Sequence, residues 1–270
     1  MLSFPNCKIN LGLYVTRRRD DGYHDIETVF YPLQLTDVLE IVPATESHLY
    51  TSGLAVAGNE HDNLVWKAYQ LLQDRFPGKA SLIDIYLHKT IPMGAGLGGG
   101  SADGAYMLRM LNEYWDLKQN DLQLAAAALR LGSDCPFFIH NKPRFATGRG
   151  EIMNNIKLDL SAYSILLICP QVHVATAKAF GMITPRPAPF DLSSLGNLPI
   201  EQWSTYISND FETPVFTQHP TLAAIKQQLY DHGALYASMS GSGSAIYGIF
   251  PKNQKATIKT DTPFQSFYLE

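Results

Sequence analysis

The sequence predicts an α+β protein of two lobes, built from mainly antiparallel sheets and helices, and three observations carry that prediction. Strand-like alternation and helical spacing succeed one another in mixed order, without a regular βα repeat. A glycine-rich segment, Pro92 to Ser101, parts the strand-like run Leu82–Leu87 from a helical pattern that begins near Ala102. The chain has 270 residues, 46% of them hydrophobic, enough for one large core or two smaller ones.

Alternation from Lys8 to Val15 predicts a first strand, and Asp20-Asp21-Gly22 supplies the turn before a second, His24–Leu33. Asp37–Val42 reads as a third strand. Leu64, Ala68, Leu71 and Leu72 give Asn63–Arg75 helical spacing, with Asp62 as its N-cap. Beyond the glycine segment, Gly104, Leu108, Leu111 and Trp115 mark one helix face, and a further helix, Asp121–Leu131, follows directly. Gly132 to Phe138 reads as a turn feeding a short apolar strand. Strands Arg144–Thr147 and Tyr163–Cys169 come next, separated by the polar stretch Gly148–Asp159. Prolines from Pro185 to Pro199 mark a surface connection and not a core element. Helical segments near Ile200–Asn209 and Leu222–His232 precede the strand-like Leu235–Met239, the Gly/Ser loop Ser240–Ser244 and the apolar strand Ala245–Phe250. The lobes are expected to divide as residues 1–158 and 159–270.

A formal charge of −4 argues against nucleic acid as a partner. The one basic run, Arg17-Arg18-Arg19, is followed at once by Asp20-Asp21-Gly22 and reads as a solvated hairpin tip. Cys7, Cys135 and Cys169 have neither zinc-pair nor C-x-x-C spacing, which points to a reducing compartment. The N-terminus has no apolar targeting segment, and no apolar run is long enough to span a bilayer. A cytoplasmic protein without a membrane partner is the expectation, with monomer and homodimer both open.

Five of the ten residues from Pro92 to Ser101 are glycine. Glycines allow positive φ, so consecutive N–H groups can converge on an anion, and the following helix adds the partial positive charge of its N-terminus. A phosphorylated ligand is the consequence. Gly94, Gly96 and Gly99 also match G-x-G-x-x-G, but the next helix is followed by another helix and not by a parallel strand, which excludes a dinucleotide fold. No Gly-Lys-Ser/Thr closes a Walker A loop. The second loop, Ser240–Ser244, is by itself a flexible hairpin; beside the first, it offers another turn to close on the same phosphate from the other lobe.

Several single residues admit two readings each. Lys8 stands on a strand with one face expected to be buried, so it either snorkels to water or has an anionic partner. Asp134 follows a Gly-Ser turn and precedes Cys135-Pro136, a place for a cap or for a base. Asn10 shares a strand face with Lys8. Tyr23 and His24 set an aromatic face beside a donor/acceptor ring, suited to a pyrimidine, although such a pair is often plain surface. Asp103 is either a helix-cap residue or a ligand for Mg²⁺, because a carboxylate beside phosphate needs a bridging cation. The remaining histidines lack metal-ligand spacing.

Lys8-Ile9-Asn10-Leu11, the Pro92–Gly98 loop and the Ser240–Ser244 loop resemble, in order, the three motifs of the GHMP kinases, over about residues 5–250. The block Asp21-Gly22-Tyr23-His24-Asp25-Ile26-Glu27-Thr28, the run Gly98-Gly99-Gly100-Ser101 and Gly132 to Phe138 are similar to the branch whose substrate is an alcohol carrying cytidine diphosphate. The resemblance implies a two-lobed GHMP-kinase-like fold and phosphorylation of a small cytidine-diphosphate substrate, with ATP as co-substrate and Mg²⁺ in attendance. It implies Asp134 as the base at the attacking hydroxyl, with Lys8 paired to it. On the substrate it implies Asn10, Tyr23, His24 and Phe180. Near the adenosine it implies Asn63 and Lys89, and around the phosphates Pro92, Met93, Gly94, Ala95, Gly96, Leu97, Gly98, Gly99, Gly100 and Ser101. Ala102 and Gly104 depart from the family pattern, replacing a second serine and an alanine. Thr176–Phe180 matches loosely, and the segment after Lys252 matches no pattern. The competing readings are another kinase of this family, acting on mevalonate, homoserine or galactose, and a ligand sensor that kept the fold without turnover. The presence of both Lys8 and Asp134 argues against the sensor.

Overall fold

The structure, a computed structural model, describes residues 1–56 and 58–270. Its elements begin with β1 (Leu2–Ser3), β2 (Asn6–Arg18), β3 (His24–Thr36), β4 (Val38–Pro43), β5 (His48–Gly53), α1 (Leu64–Arg75) and β6 (Ile83–Lys89). Then come α2 (Gly99–Tyr114), α3 (Asp121–Leu129), α4 (Cys135–His140), β7 (Arg144–Thr147), β8 (Ile152–Asn155) and β9 (Tyr163–Pro170). The chain closes with α5 (Thr176–Gly181), α6 (Trp203–Tyr206), α7 (Glu212–Gln218), α8 (Pro220–Asp231), β10 (Tyr236–Met239), β11 (Ile246–Pro251) and β12 (Phe264–Leu269). No helix among the described residues is long and apolar enough to cross a membrane.

Two compact units are interleaved along the chain. The first comprises residues 1–8, 32–93 and 98–142, the second residues 9–31, 94–97 and 143–270. These segments do not coincide with the sequential division expected at residue 158. The physical reason is strand pairing: β7 runs antiparallel to β3, with Thr28 opposite Ala146, and β8 pairs with β7, so the opening hairpin belongs with residues far along the chain.

The first unit has a four-stranded sheet in the order β1-β4-β6-β5, antiparallel except for the parallel pair β5/β6. Alternate residues Leu39 and Ile41 of β4, and Ile83, Ile85 and Leu87 of β6, are buried, the period of two that one covered face requires. Helix α1 buries Val65, Trp66, Ala68, Tyr69 and Leu72. Its N-cap is Asn63 and not Asp62, because the Asn63 side chain accepts from the Val65 N–H at 2.9 Å. Gly104 lets α2 approach α1 closely: a Cβ there would meet Leu64 Cβ at 3.0 Å. The segment expected as a strand after Gly132 is the helix α4. Pro136 stands in its first turn, and every residue from Cys135 to Ile139 is buried; a short apolar run reads the same for a buried helix as for a strand.

In the second unit β10-β11-β9-β12 form an antiparallel sheet, and β7 pairs antiparallel with β3 on one side and β8 on the other. Helix α8 packs Leu222, Ile225 and Leu229 into a core with Ile168, Ala237, Ile246 and Phe250. Strand β2 is buried on both faces from Asn6 to Val15, not on one as expected. The proline-rich connection also differs from expectation. Leu192 and Leu195 within it are fully buried, and Leu192 lies so near Gly12 that a Cβ on that glycine, at φ +71°, would sit 2.8 Å from Leu192 Cδ2.

Candidate active site

In the first unit Lys8 is 4% exposed, and its ammonium lies 3.5 Å from Asp134 Oδ2. A buried ammonium needs a counter-charge, since removing it from water costs several kcal/mol, of order, without one. Asp134 occupies the N-cap position of α4, yet its side chain makes no capping hydrogen bond. That side chain faces the Lys8 ammonium instead. At 35% exposure this carboxylate stays within reach of a ligand, whereas Lys8 does not meet bulk water. Burial pushes the neighbouring Cys135 thiol up to about 12, leaving it a neutral packing group.

The glycine-rich segment lies against this pair. Gly98, at φ +70°, is the N-cap of α2, and a Cβ there would meet Phe138 at 3.0 Å and the Lys8 side chain at 3.2 Å. The first helical bond of α2 runs from the Ala102 N–H to the Gly98 carbonyl at 2.9 Å. The N–H groups of Gly99, Gly100 and Ser101 precede it and have no intrahelical acceptor, the geometry that holds phosphate oxygens. Asn63, Met93, Gly100, Lys89 and Asp103 line one pocket of this unit.

Lys89 sits there in an arrangement that sequence reading missed. Its ammonium is bonded to both Asp37 and Asp103, the latter at 2.6 Å, and all three side chains are buried. Asp37 also accepts from the N–H groups of Thr90 and Ile91, at 2.6 and 2.8 Å, so it clamps the strand end that enters the glycine-rich segment. Burial opposes the charge on Lys89, but the two aspartates outweigh it and hold its pKa above the ordinary lysine value. Burial raises Asp103 to about 7, with Lys89 opposing and Asp37 assisting the shift. Asp103 is the fifth residue of α2, beyond the first turn where it was expected. One of its carboxylate oxygens is bonded to Lys89, and the other, Oδ1, is buried without a hydrogen-bond partner beside the pocket. The described residues contain no group of three or more His, Cys, Asp or Glu able to hold a metal by themselves.

Pro92 also belongs to the first unit, and the second holds Asn10, Tyr23, His24, Phe180 and Gly94 to Leu97. Gly94 to Leu97 close on the Ser240–Ser244 loop: Ser240 Oγ donates to the Gly96 carbonyl at 2.8 Å, and the Ala245 N–H to the Ala95 carbonyl at 3.0 Å. Gly96, at φ +80°, is required, because a Cβ would overlap the Ser240 carbonyl. Gly94 to Leu97 and the Ser240–Ser244 loop thus belong to one compact unit. Ala95 and Leu97 bury their side chains and offer only backbone to a ligand. Asn10 is buried and donates from Nδ2 to Thr28 Oγ1 at 2.9 Å, while Thr28 donates to the Gly12 carbonyl at 2.6 Å.

His24 stacks on Phe180 with ring centroids 4.9 Å apart, and Phe180 meets Phe211 edge-on at 4.7 Å. Tyr23 is 56% exposed and lies under the guanidinium of Arg149. Phe180 thus joins His24 and not Tyr23. Two of the hairpin arginines have local counter-charges, Arg17 from Asp25 and Arg19 from Asp21 and Asp25, which suits a solvated tip.

Residues 63–142 match the family GHMP kinases N terminal domain, and residues 191–261 match GHMP kinases C terminal. The chain is 48% identical to the 4-diphosphocytidyl-2-C-methyl-D-erythritol kinase of Bacteroides fragilis, over 95% of this chain and 94% of that relative. With the protein of the same name from Bacteroides thetaiotaomicron it shares 49%, over 93% and 92% of the two chains. A crystal structure of 4-(cytidine 5'-diphospho)-2C-methyl-D-erythritol kinase superposes with a TM-score of 0.76 at 31% identity, covering 92% of this chain and 90% of that one. Similarity of this extent, in a chain whose glycine-capped helix and Lys8–Asp134 pair stand where the motifs put them, establishes that it belongs to the GHMP kinases.

Proposed function

We propose that this chain transfers the γ-phosphoryl group of ATP to the 2-hydroxyl of 4-diphosphocytidyl-2-C-methyl-D-erythritol, within non-mevalonate isoprenoid precursor synthesis in the cytoplasm. The observation that carries the reading is the ion pair of Lys8 and Asp134 beside the glycine-capped N-terminus of α2. Phosphoryl transfer asks a protein mainly for positioning and charge neutralisation, with a base near the attacking hydroxyl. Asp134 takes the hydroxyl proton. Lys8 faces that carboxylate at 3.5 Å and offsets charge developing on the attacking oxygen. The N–H groups of Gly99, Gly100 and Ser101 hold phosphate oxygens, and Asn63 lies toward the nucleoside of ATP. Mg²⁺ enters with the nucleotide phosphates.

On the substrate side the exposed ring of Tyr23 stacks on the cytosine, His24 bonds its edge, and Asn10, oriented by Thr28, contacts the substrate backbone. In an ADP-release assay the protein is expected to turn over with the cytidylated methylerythritol and not with mevalonate, homoserine or galactose. Equal turnover with mevalonate would end the substrate assignment. Tyr23→Ala is expected to weaken binding of the cytidylated substrate by about 1–3 kcal/mol while leaving ATP affinity unchanged. Calorimetry with each ligand separates the two effects, and an unaltered substrate affinity removes Tyr23 from the site.

A further inference from the structure

We propose that Arg149 is a positioning residue for the base-binding ring, its guanidinium covering one face of Tyr23 so that the opposite face is presented to the cytosine. The inference rests on the role given to Tyr23 above. It starts from the turn between β7 and β8, Gly148-Arg149-Gly150-Glu151, which the sequence offered only as part of a polar stretch. The Arg149 guanidinium carbon lies 4.9 Å from the centroid of the Tyr23 ring. A cation at that distance is attracted by the ring face, most strongly for a planar guanidinium that also stacks.

Both partners are held independently. The Tyr23 backbone is closed on each side: its N–H donates to Asp21 Oδ1 at 3.1 Å, and its carbonyl accepts from the Arg19 N–H at 2.8 Å. That leaves the ring torsions as its main freedom. The Gly148 carbonyl accepts from the Ile26 N–H at 2.7 Å, docking the turn beside the strand that leaves Tyr23. Glu151 folds back over the turn, accepting from the Arg149 N–H at 2.5 Å and placing its other oxygen 3.6 Å from Arg149 Nε. Gly148 and Gly150 have positive φ, and a Cβ on Gly148 would lie 2.9 Å from the Glu151 carboxylate. The two glycines therefore let Glu151 aim the arginine. Asp21 is the second carboxylate that faces this charge: Arg19 chiefly, with Arg149 adding to it, holds Asp21 below the ordinary carboxylate range.

A large aromatic ring that is 56% exposed samples several rotamers unless one face is held. Covering one face leaves the other, with the ring already oriented, for a base to stack on. Ordering before binding lowers the entropy lost on binding, so the effect belongs in substrate affinity and not in the chemical step.

The test is a mutant cycle in steady-state kinetics on the full chain, with the cytidylated methylerythritol and ATP varied separately. Arg149→Met is expected to raise KM for the cytidylated substrate by about 5- to 30-fold, with kcat and the KM for ATP within about twofold of wild type. Arg149→Lys, which keeps a cation over the ring, is expected to raise it by no more than about threefold. In a Tyr23→Ala background Arg149→Met should add nothing, because the ring it orients is gone. Multiplicative losses in the double variant, or a lysine variant as impaired as the methionine one, would overturn the inference. If Tyr23→Ala weakens substrate binding and Arg149→Met does not, the inference fails while the role of Tyr23 stands. If Tyr23→Ala has no effect, both fall together.

Discussion

Asp134→Asn is expected to keep the fold and bind both ligands while kcat falls by about 10²–10⁴. Asparagine matches aspartate in shape but cannot accept the hydroxyl proton. Lys8→Met should lose a comparable factor, since the carboxylate 3.5 Å away would then lack its cation. The two residues serve one event, so the double variant should be little worse than either single one. Single-turnover kinetics on wild type and the three variants, with circular dichroism to verify folding, measures this. A folded Asp134→Asn protein with near-wild-type turnover would remove the base. Fully multiplicative losses would assign Lys8 and Asp134 to separate steps.

The largest expected effect on stability lies at the buried cluster of Asp37, Lys89 and Asp103. Lys89→Met strips the shared ammonium from two carboxyl groups that have almost no contact with water, a loss of about 3–5 kcal/mol at neutral pH. Urea unfolding measures it. Asp103→Asn in the Lys89→Met background should recover part of the loss by removing the second acid, and strict additivity would mean that the residues do not act as a cluster. Asp103→Asn alone should change the pH dependence. With a folded pKa of about 7, Asp103 holds in the native state a proton that the unfolded chain has released above about pH 4. The unfolded state thus binds fewer protons across that window, and the stability this carboxyl contributes falls as pH rises from about 4 to about 7. The asparagine variant should lose that slope, and an unchanged stability profile would show that Asp103 does not titrate there. Lys89 contributes in the opposite range: its raised pKa keeps the cluster's stabilisation complete below the ordinary lysine value, to be lost only as pH climbs through the folded one.

Local chemistry was legible in the sequence, and chemistry between distant segments was not. The Pro92–Ser101 loop could be read as a phosphate cradle because positive φ and close backbone approach are demands that glycine alone meets, and they act within a few residues. The hairpin before His24, the helix 64–75 and the strands at Arg144 and Tyr163 followed from turn chemistry and periodicity, which are equally local. Helix α4 was misread because five buried apolar residues in a row carry no period. The sequence brought Lys8 and Asp134 together only through a resemblance, and the structure makes them a contact by folding α4 against the start of β2. Asp37 gave no signal at all. A carboxylate bound for the interior has the same letter as one on the surface, and its burial became favourable only once Lys89 and two backbone N–H groups had been brought to it. Arg149 stood in a stretch that read as polar loop until strand pairing carried its turn beside Tyr23. Backbone preference is a property of a residue and its neighbours, so sequence determined it here. Desolvation, ion pairing and ring stacking are properties of pairs, and tertiary structure chose the pairs.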